Sequence, residues 1–150
     1  MERILSQDEV LDAGREFDGE GIEYGGEYGQ QVCEINGDDE IPFTGIVYEL
    51  YDSRNVQYYS RYEDGVSNGA DVSFYENGGI KSYSTMNRGT VHGTKTCWRE
   101  NGVIESETTY KYGFVIEIKE WNEEGVLINE EQPILKDYEK SMIEKYDSIG

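Results

Sequence analysis

The residue types that most often carry out catalysis are scarce in this chain, and their spacing predicts no active site. His92 is the only histidine, and the two cysteines, Cys33 and Cys97, form no Cys-x-x-Cys pair. The motifs of serine hydrolases, zinc proteases and P-loop enzymes do not occur. His92 is interpreted as a turn residue and Cys97 as a structural residue of a strand. We therefore predict no catalytic residue, no cofactor and no enzyme activity.

Carboxylates are the abundant polar groups, with 32 Asp and Glu side chains against 13 Lys and Arg. At this density, acidic pairs such as Glu105 and Glu107 or Glu123 and Glu124 arise by chance. They give little support to an enzyme that acts on sugars or phosphoesters. A group of acids near the N-terminus lacks the alternating order of a calcium-binding EF-hand loop, so no metal site is predicted. Its members are Asp12, Asp18, Asp38, Asp39 and Glu40.

The net charge of −19 and the pI of about 4.2 limit the kinds of partner. Such a field repels nucleic acid phosphates and anionic lipid headgroups, and it attracts basic proteins. Two interpretations stay open. The acidity keeps a tyrosine-rich protein soluble, or it forms a surface that receives a positively charged protein.

The chain shows no targeting or membrane segment. Its first ten residues include charged side chains and no apolar run, unlike a signal peptide. No stretch of about 18 apolar residues predicts a transmembrane helix. Because two unpaired cysteines suit a reducing compartment, we expect a cytoplasmic protein.

Tyrosine supplies 13 side chains, more than a small core requires. Tyr51 and Tyr75 directly follow predicted core positions and so are expected on the opposite face, while Tyr59 and Tyr83 share one matching position. Exposed tyrosines among acids are typical of a protein-binding face. The alternative is that these rings pack against the N-terminal leader. The candidate partner-binding residues are Tyr51, Tyr59, Tyr75, Tyr83, Glu49, Glu63, Asp64, Glu76, Glu100 and Glu107.

A repeat of 24 residues between Phe43 and Leu127 would position these side chains. Gly45, Gly69 and Gly93 stand 24 residues apart, and Ile116 takes the same place after a step of 23. Such periodicity predicts stacked copies of one supersecondary unit. Four further positions recur from unit to unit in the same register, and we call each such set a column. The columns are Gly65, Gly89 and Gly113; Leu50, Phe74, Trp98 and Trp121; Val56, Ile80, Ile104 and Leu127; and Tyr62, Met86 and Tyr110.

Each unit is predicted to be a β-hairpin, because a turn signal such as Asn-Gly separates two alternating runs. The predicted fold class is mainly β, an array of hairpin repeats that forms an extended antiparallel sheet in a single domain, 1–150. The large apolar column would form the ridge of the core, each side chain contributing roughly 1.5–3 kcal/mol. The repeat region is 30–127, where 30–36 is interpreted as half of a degenerate unit, and the full units are about 45–68, 69–92, 93–115 and 116–127.

Non-repeat segments flank the array. The leader, 1–29, begins with a short helix for which Ser6 and Glu9 provide a capping box and Gly14 a stop. The rest of the leader is acidic, glycine-rich and expected to be loop and irregular strand. After Pro133, apolar residues at helical spacing predict an amphipathic helix at 133–147. We expect this helix to cap the open end of the array, with partner binding as the alternative.

The second unit carries a family resemblance. The segment 74–82, with the sequence FYENGGIKS, and the closing Asn-Arg-Gly at 87–89 resemble the bacterial variant of the MORN repeat. The lead-in IPFTG at 41–45 is similar to the segment that opens the array in the YwqK-type antitoxins. The first unit departs from the pattern, since Asp-Ser-Arg-Asn at 52–55 replaces Glu-Asn-Gly, which predicts a looser turn. In the fourth unit Ile116 replaces the leading glycine.

The resemblance implies a bacterial cytoplasmic protein that neutralises a toxin by binding it. Toxins linked with such repeat proteins often attack nucleic acids, and domains that hold a phosphate backbone tend to be basic. The expected function is therefore that of an antitoxin or immunity protein with a basic cognate toxin as partner, without binding to nucleic acid or membranes. The alternative is a non-catalytic MORN-type scaffold or interaction module, of the kind often associated with lipid.

Overall fold

The computed structural model describes residues 2–149, which form one large sheet, one small sheet and two helices. The elements are α1 (Gln7–Ala13), β1 (Arg15–Glu16), β2 (Ile22–Gly25), β3 (Gln31–Asn36), β4 (Asp39–Pro42), β5 (Gly45–Leu50), β6 (Val56–Glu63), β7 (Val66–Phe74), β8 (Ile80–Asn87), β9 (Thr90–Val91), β10 (Gly93–Trp98), β11 (Ile104–Lys111), β12 (Phe114–Trp121), β13 (Leu127–Glu131) and α2 (Asp137–Ile149). The large sheet has the order β1-β5-β6-β7-β8-β10-β11-β12-β13, with β9 paired to β8, and the small sheet has the order β2-β3-β4. From β5 onward, apart from the short β9, strands that are consecutive in the sequence are neighbours in the sheet. This confirms the predicted mainly-β array of antiparallel hairpins.

Because successive strands are antiparallel, the turns lie alternately at one end of the strands and at the other. The turns within units define what we call the hairpin-turn edge, and the turns between units define the connection edge. In the first hairpin turn Arg54 has a φ of 75°, close to the 92° of Gly78 in the second turn. The Arg54 amide donates to Tyr51 O at 2.8 Å, and the Gly78 amide donates to Tyr75 O at 2.9 Å. The expectation of a looser first turn is therefore wrong.

Arg54→Gly is expected to raise the free energy of unfolding by about 1 kcal/mol. The left-handed conformation costs a residue with a Cβ roughly 1–2 kcal/mol, and the larger chain entropy of glycine in the unfolded state offsets part of the gain. Urea unfolding of both proteins measures the difference. Gly78→Ala, at the matching position of the second turn, should change stability in the opposite direction. A less stable Arg54→Gly variant would mean that the arginine side chain itself stabilises the turn.

The connection edge is built from turns with positive φ at both central residues, 49° and 81° in the first. This geometry matches the twist of a hairpin. Each turn is tied to the preceding unit by a side chain that accepts a hydrogen bond from the amide 20 residues later. The three bonds are Asp64 N to Thr44 Oγ1 at 3.0 Å, Arg88 N to Asn68 Oδ1 at 3.2 Å and Tyr112 N to His92 Nδ1 at 3.0 Å. His92 thus lies at a turn as expected, with one ring nitrogen occupied by the backbone.

The two faces of the large sheet carry separate cores. On the face that we call the leader face, Ile4 and Leu5 and the helix α1 pack over the first half of the array. This core consists of Val10, Ile46, Val56, Tyr59, Ala70, Val72, Phe74 and Tyr83. On the opposite face, Ile22 and Val32 of the small sheet pack on Val47 of β5. The predicted ridge lies on the leader face, where Phe74, Trp98 and Trp121 stand opposite Ile80, Ile104 and Leu127.

The capping box of α1 is present as predicted. The Glu9 amide donates to Ser6 Oγ at 3.2 Å, and the Ser6 amide donates to Glu9 Oε1 at 3.0 Å. Arg3 adds two guanidinium hydrogen bonds to the same carboxylate, at 2.8 and 2.6 Å. The Arg3 hydrogen bond, followed by that of the Ser6 backbone, lowers the pKa of Glu9 to about 2.

Acid should therefore weaken this end of the fold. The pKa of Glu9 in the folded protein lies below its ordinary value of 4.5. The stabilisation of the fold by its ionised carboxylate is therefore full above pH 4.5 and is lost as the pH falls towards 2. Urea midpoints of the native protein and of Glu9→Gln should differ at pH 6 and converge near pH 2. A difference that stays constant over this range would show that the charge of Glu9 has no stabilising role.

Several boundaries differ from the sequence-based expectations. The segment 30–36 is not half of a repeat, because β3 pairs with β2 and β4 in the small sheet. In the part of the leader expected to be loop and irregular strand, the strands are β1 and β2. The fourth hairpin continues beyond residue 127, since β13 pairs with β12 as far as Glu131. The predicted C-terminal helix forms, but as α2 over Asp137–Ile149.

The C-terminal helix packs on the connection edge and leaves the residues of β13 exposed. Tyr112 Oη donates to Asp147 Oδ1 at 2.6 Å, and Lys111 Nζ lies 2.7 Å from Asp147 Oδ2. The rings of Tyr138 and Phe114 also pack edge to face, with their centres 6.4 Å apart. These contacts hold α2 at the connection between β11 and β12, away from the outer edge of β13. The leader instead covers the first end of the array, where β1 pairs with β5 in parallel.

Candidate functional site at the hairpin-turn edge

The hairpin-turn edge presents a row of acidic side chains. Its four turns span residues 51–55, 75–79, 99–103 and 122–126, and each brings at least one exposed carboxylate to the same edge of the sheet. Because successive hairpins are two strands apart, the turns repeat at about 10 Å. The exposed carboxylates are those of Asp52, Glu76, Glu100, Glu123 and Glu124.

Side chains from one repeat position tie each turn to the next. Tyr51 Oη donates to Phe74 O at 2.7 Å, and Tyr75 Oη donates to Trp98 O at 2.7 Å. Arg99 occupies the same position in the third unit, and its Nη2 donates to Trp121 O at 2.9 Å. All three side chains are half-buried. The turns are therefore fixed relative to one another, and the acids stand on a preorganised surface.

The last three turns enclose a shallow depression of about 420 Å³. It is lined by Tyr75, Arg99, Glu100, Asn101, Glu105 and Glu123. The guanidinium of Arg99 lies 3.5 Å from the carboxylate of Glu105. Within residues 2–149, Glu100 and Glu123 make no ion pair. Burial and the nearby carboxylates of Glu105 and Glu100 raise the pKa of Tyr75, so its phenol remains protonated and neutral.

The chemistry of this depression suits a cation. It offers two free carboxylates, an amide group and a phenol ring, and the guanidinium of Arg99 also lines it. A lysine or arginine from another protein could place its charge between Glu100 and Glu123 and form charge-assisted hydrogen bonds. The ring of Tyr75 already has a cation beside it, since Lys81 Nζ lies 5.7 Å from the ring centre.

Four of the ten predicted partner-binding residues come together at this edge: Tyr51, Tyr75, Glu76 and Glu100. Two others are excluded from any surface. Tyr59 is 0% exposed and Tyr83 is 3% exposed, both beneath the N-terminal segment. Their hydroxyls accept hydrogen bonds from the amides of Leu5 and Glu2, at 3.0 Å in each case. For these two residues, the alternative of packing against the leader is correct.

The remaining four predicted residues are dispersed. Glu63 and Asp64 lie at the connection edge, on the far side of the sheet from the hairpin turns. Glu107 lies on the leader face, opposite Lys119 in the cross-strand register. Glu49 lies on the other face, opposite Tyr58. The ten residues therefore do not form a single surface.

A second polar cluster, which the sequence did not reveal, surrounds Glu49. Ser60 Oγ donates to Asp71 Oδ1 at 2.6 Å, and the rings of Tyr58 and Tyr62 lie close to these carboxylates. Burial, together with Glu49, raises the pKa of Tyr58, and burial together with Tyr24 and Asp71 raises the pKa of Tyr62 to about 12. Such phenols stay protonated at neutral pH. The cluster therefore cannot supply a phenolate base, and it joins the small sheet to the large one.

A larger cavity, about 560 Å³, lies at the connection edge beside α2. Its lining includes Arg88, His92, Tyr112 and Tyr146. The centre of the Tyr112 ring lies 5.0 Å from the centre of the His92 ring and 5.1 Å from that of Tyr146, so the three rings pack on one another. Because its free charge is that of Arg88, this cavity does not suit a basic partner. We therefore take the hairpin-turn edge as the candidate site.

Two further features were sought among the described residues, a metal centre and a helix able to span a membrane. Among residues 2–149, no three His, Cys, Asp or Glu side chains lie close enough together to hold a metal ion. Asp18, one of the acids considered for calcium, accepts amide hydrogen bonds from Glu20, Gly21 and Ile22. No helix in this part of the chain has the length and apolar character needed to cross a bilayer.

The fold and the site define a repeat-built β-sheet protein with an acidic, preorganised turn edge. Comparison of the chain with models of protein families gives no match. Searches of curated proteins and of solved structures likewise give no match.

Proposed function

We propose that this protein is an antitoxin or immunity protein that neutralises a basic toxin domain by binding it through the hairpin-turn edge. The observation that carries the proposal is the row of acidic turns around a depression that holds two unpaired carboxylates. No catalytic step is part of the proposal. The half-buried Tyr51 and Tyr75 act by fixing the turns, and the carboxylates make the contacts with the partner.

The repeated spacing suits an extended basic surface. Acids at intervals of about 10 Å along one edge can contact several cationic side chains at once. Between residues 2 and 149, six ion pairs occupy only a minority of the 32 acids, so most of the negative charge is available to a partner. Complementary charge mainly accelerates association and excludes wrong partners.

The charge supports a basic partner, and the resemblance to MORN-type antitoxins supports a toxin that attacks nucleic acids as its class. Domains that cleave or modify nucleic acids carry basic surfaces, because they must hold a phosphate backbone. An acidic edge that covers such a surface would exclude the nucleic acid by occupying its site. The proposal places this neutralisation in the cytoplasm, where the free thiols of Cys33 and Cys97 stay reduced.

Co-expression with the product of the neighbouring gene tests the proposal. A basic protein that is toxic alone should become harmless, and it should co-purify at low salt. Its association rate should fall as the salt concentration rises, because the Debye length shrinks from about 10 Å at 0.1 M to about 3 Å at 1 M.

The result that would overturn the proposal is a harmless neighbour that does not co-purify at any salt concentration. The remaining function would then be that of a non-catalytic scaffold. Sedimentation with anionic vesicles is a separate control, for which the proposal predicts no binding because like charges repel.

A further inference from the structure

The last strand of the large sheet is an unprotected edge. Within residues 2–149, β13 has β12 as its only strand neighbour, and all five of its residues are exposed. Its outward backbone groups face away from the sheet and are free to pair with another strand. The two charged residues of β13, Glu130 and Glu131, are both acidic, and the strand contains no proline that would block pairing.

Exposed apolar side chains at the start of β13 give this end of the strand a hydrophobic surface. Val126 is 57% exposed, Leu127 43% and Ile128 62%. A shift in the register places both Leu127 and Ile128 beside Trp121, the last ring of the core ridge. A further strand would therefore extend this ridge by one more residue.

The other end of β13 is negatively charged on both faces of the sheet. Glu130 stands opposite Lys119, and Glu131 stands opposite Ile118. Glu120 lies on the same face as Glu131, where Asn129 Nδ2 donates to its Oε1 at 3.0 Å. The amine of Lys119 lies 3.3 Å from Glu117, so it is shared between two carboxylates. The edge thus combines an apolar half with an acidic half.

We infer that β13 binds an extended segment of the basic partner by strand addition, as the next antiparallel strand of the array. Strand addition derives affinity from backbone hydrogen bonds and specificity from alternate side chains. The matching segment carries two basic residues opposite Glu130 and Glu131 and apolar β-branched residues opposite Leu127 and Ile128. The inference rests on the proposed function, since it assumes a basic partner, and it names how that partner is held.

Charge argues for this occupant over a second copy of the chain. Antiparallel pairing of β13 with a second copy would place Glu130 and Glu131 of each chain opposite Ile128 and Leu127 of the other, at a seam between two molecules that each carry a net charge of −19. Molecules of like net charge repel, and the glutamates would meet no basic side chain across the seam. A basic strand instead neutralises the seam. The fourth hairpin turn adjoins β13, so one partner can contact the hairpin-turn edge and the open strand together.

The probe is a fluorescent peptide, Lys-Lys-Thr-Val-Val-Thr, titrated against the full chain and followed by anisotropy. Glu130→Lys/Glu131→Lys should weaken its binding at least tenfold. The matched control is Glu76→Lys/Glu100→Lys, which makes the same change of charge on two hairpin turns and should weaken binding less than threefold. A peptide with N-methyl groups at alternate residues keeps the charge but cannot complete the ladder, and it should lose binding at least tenfold.

Hydrogen exchange supplies the structural readout. Bound peptide should slow exchange of amides in β13, and the N-methylated peptide should not. Equal losses in the two lysine variants, or equal binding of the N-methylated peptide, would overturn strand addition. A concentration-dependent dimer that the Glu130→Lys/Glu131→Lys change alters would also overturn it, in favour of a second copy. If the co-expressed toxin is still neutralised by that variant, strand addition fails while the proposed function stands.

Discussion

Tyr59→Ala is expected to lower the free energy of unfolding by about 3–5 kcal/mol, the range for removal of a large buried ring. Tyr59 is fully buried between the sheet and the N-terminal segment, and its ring centre lies 6.1 Å from that of Phe74. Its hydroxyl also accepts the Leu5 amide at 3.0 Å, so the substitution removes the acceptor of a part-buried donor. Denaturant unfolding followed by circular dichroism measures the loss.

Two controls separate packing from hydrogen bonding. Tyr59→Phe keeps the ring and should cost only about 0.5–1.5 kcal/mol, the net contribution of one hydrogen bond. Tyr28→Ala removes a ring that is 81% exposed and should change stability by less than about 0.5 kcal/mol. If Tyr59→Ala kept native stability and weakened partner binding alone, Tyr59 would be a contact residue and the assignment to the core would fail.

The repeat columns show why much of the fold could be predicted. A hairpin is specified locally, by the residues of its turn and the alternation of its strands, and a constant step places those signals in register. The positions of Phe74, Trp98 and Trp121 followed from this step, and so did the turn role of His92. The hydrogen bonds of His92, Asn68 and Thr44 use the same repeat position, although their side chains differ.

What the sequence could not decide was which segment covers which face. In the sequence, the residues that flank Tyr59 and Tyr83 have a composition that an exposed binding surface would also have. Their burial depends on where Leu5 and Glu2 lie, some 54 and 81 residues away along the chain. Such long-range packing leaves no periodic signal. The helix α2 is a similar case, because its spacing predicts an amphipathic helix but not the contact of Asp147 with Tyr112.

The candidate site could be predicted in part, because some of its residues belong to the repeat. Glu76 and Glu100 belong to turns that the repeat identifies, so their position at one edge follows from the topology. Arg99 was missed, although it falls 24 residues after Tyr75 and carries out the same tie to the next turn. A closer comparison of that repeat position, accepting an arginine in place of tyrosine, could have found it.

Neutralising the hairpin-turn edge is expected to slow association with the basic partner by about 10–100-fold at low salt, within the range reported for electrostatic steering. The variant is Asp52→Asn/Glu76→Gln/Glu100→Gln/Glu123→Gln, and all four side chains are exposed. Because rim charges act mainly on the association rate, the dissociation rate should change less and the dependence on salt should flatten. Stopped-flow mixing at several salt concentrations measures all three quantities.

The matched control removes four exposed carboxylates from the leader and the small sheet, as Asp12→Asn/Glu20→Gln/Glu27→Gln/Asp38→Asn. Both variants lose the same net charge, so any difference between them reports where the charge lies. Equal slowing would mean that the partner responds to the total charge and does not dock at the turns. A larger effect of the turn variant, together with unchanged unfolding curves, would assign recognition to the edge that Tyr51, Tyr75 and Arg99 hold in place.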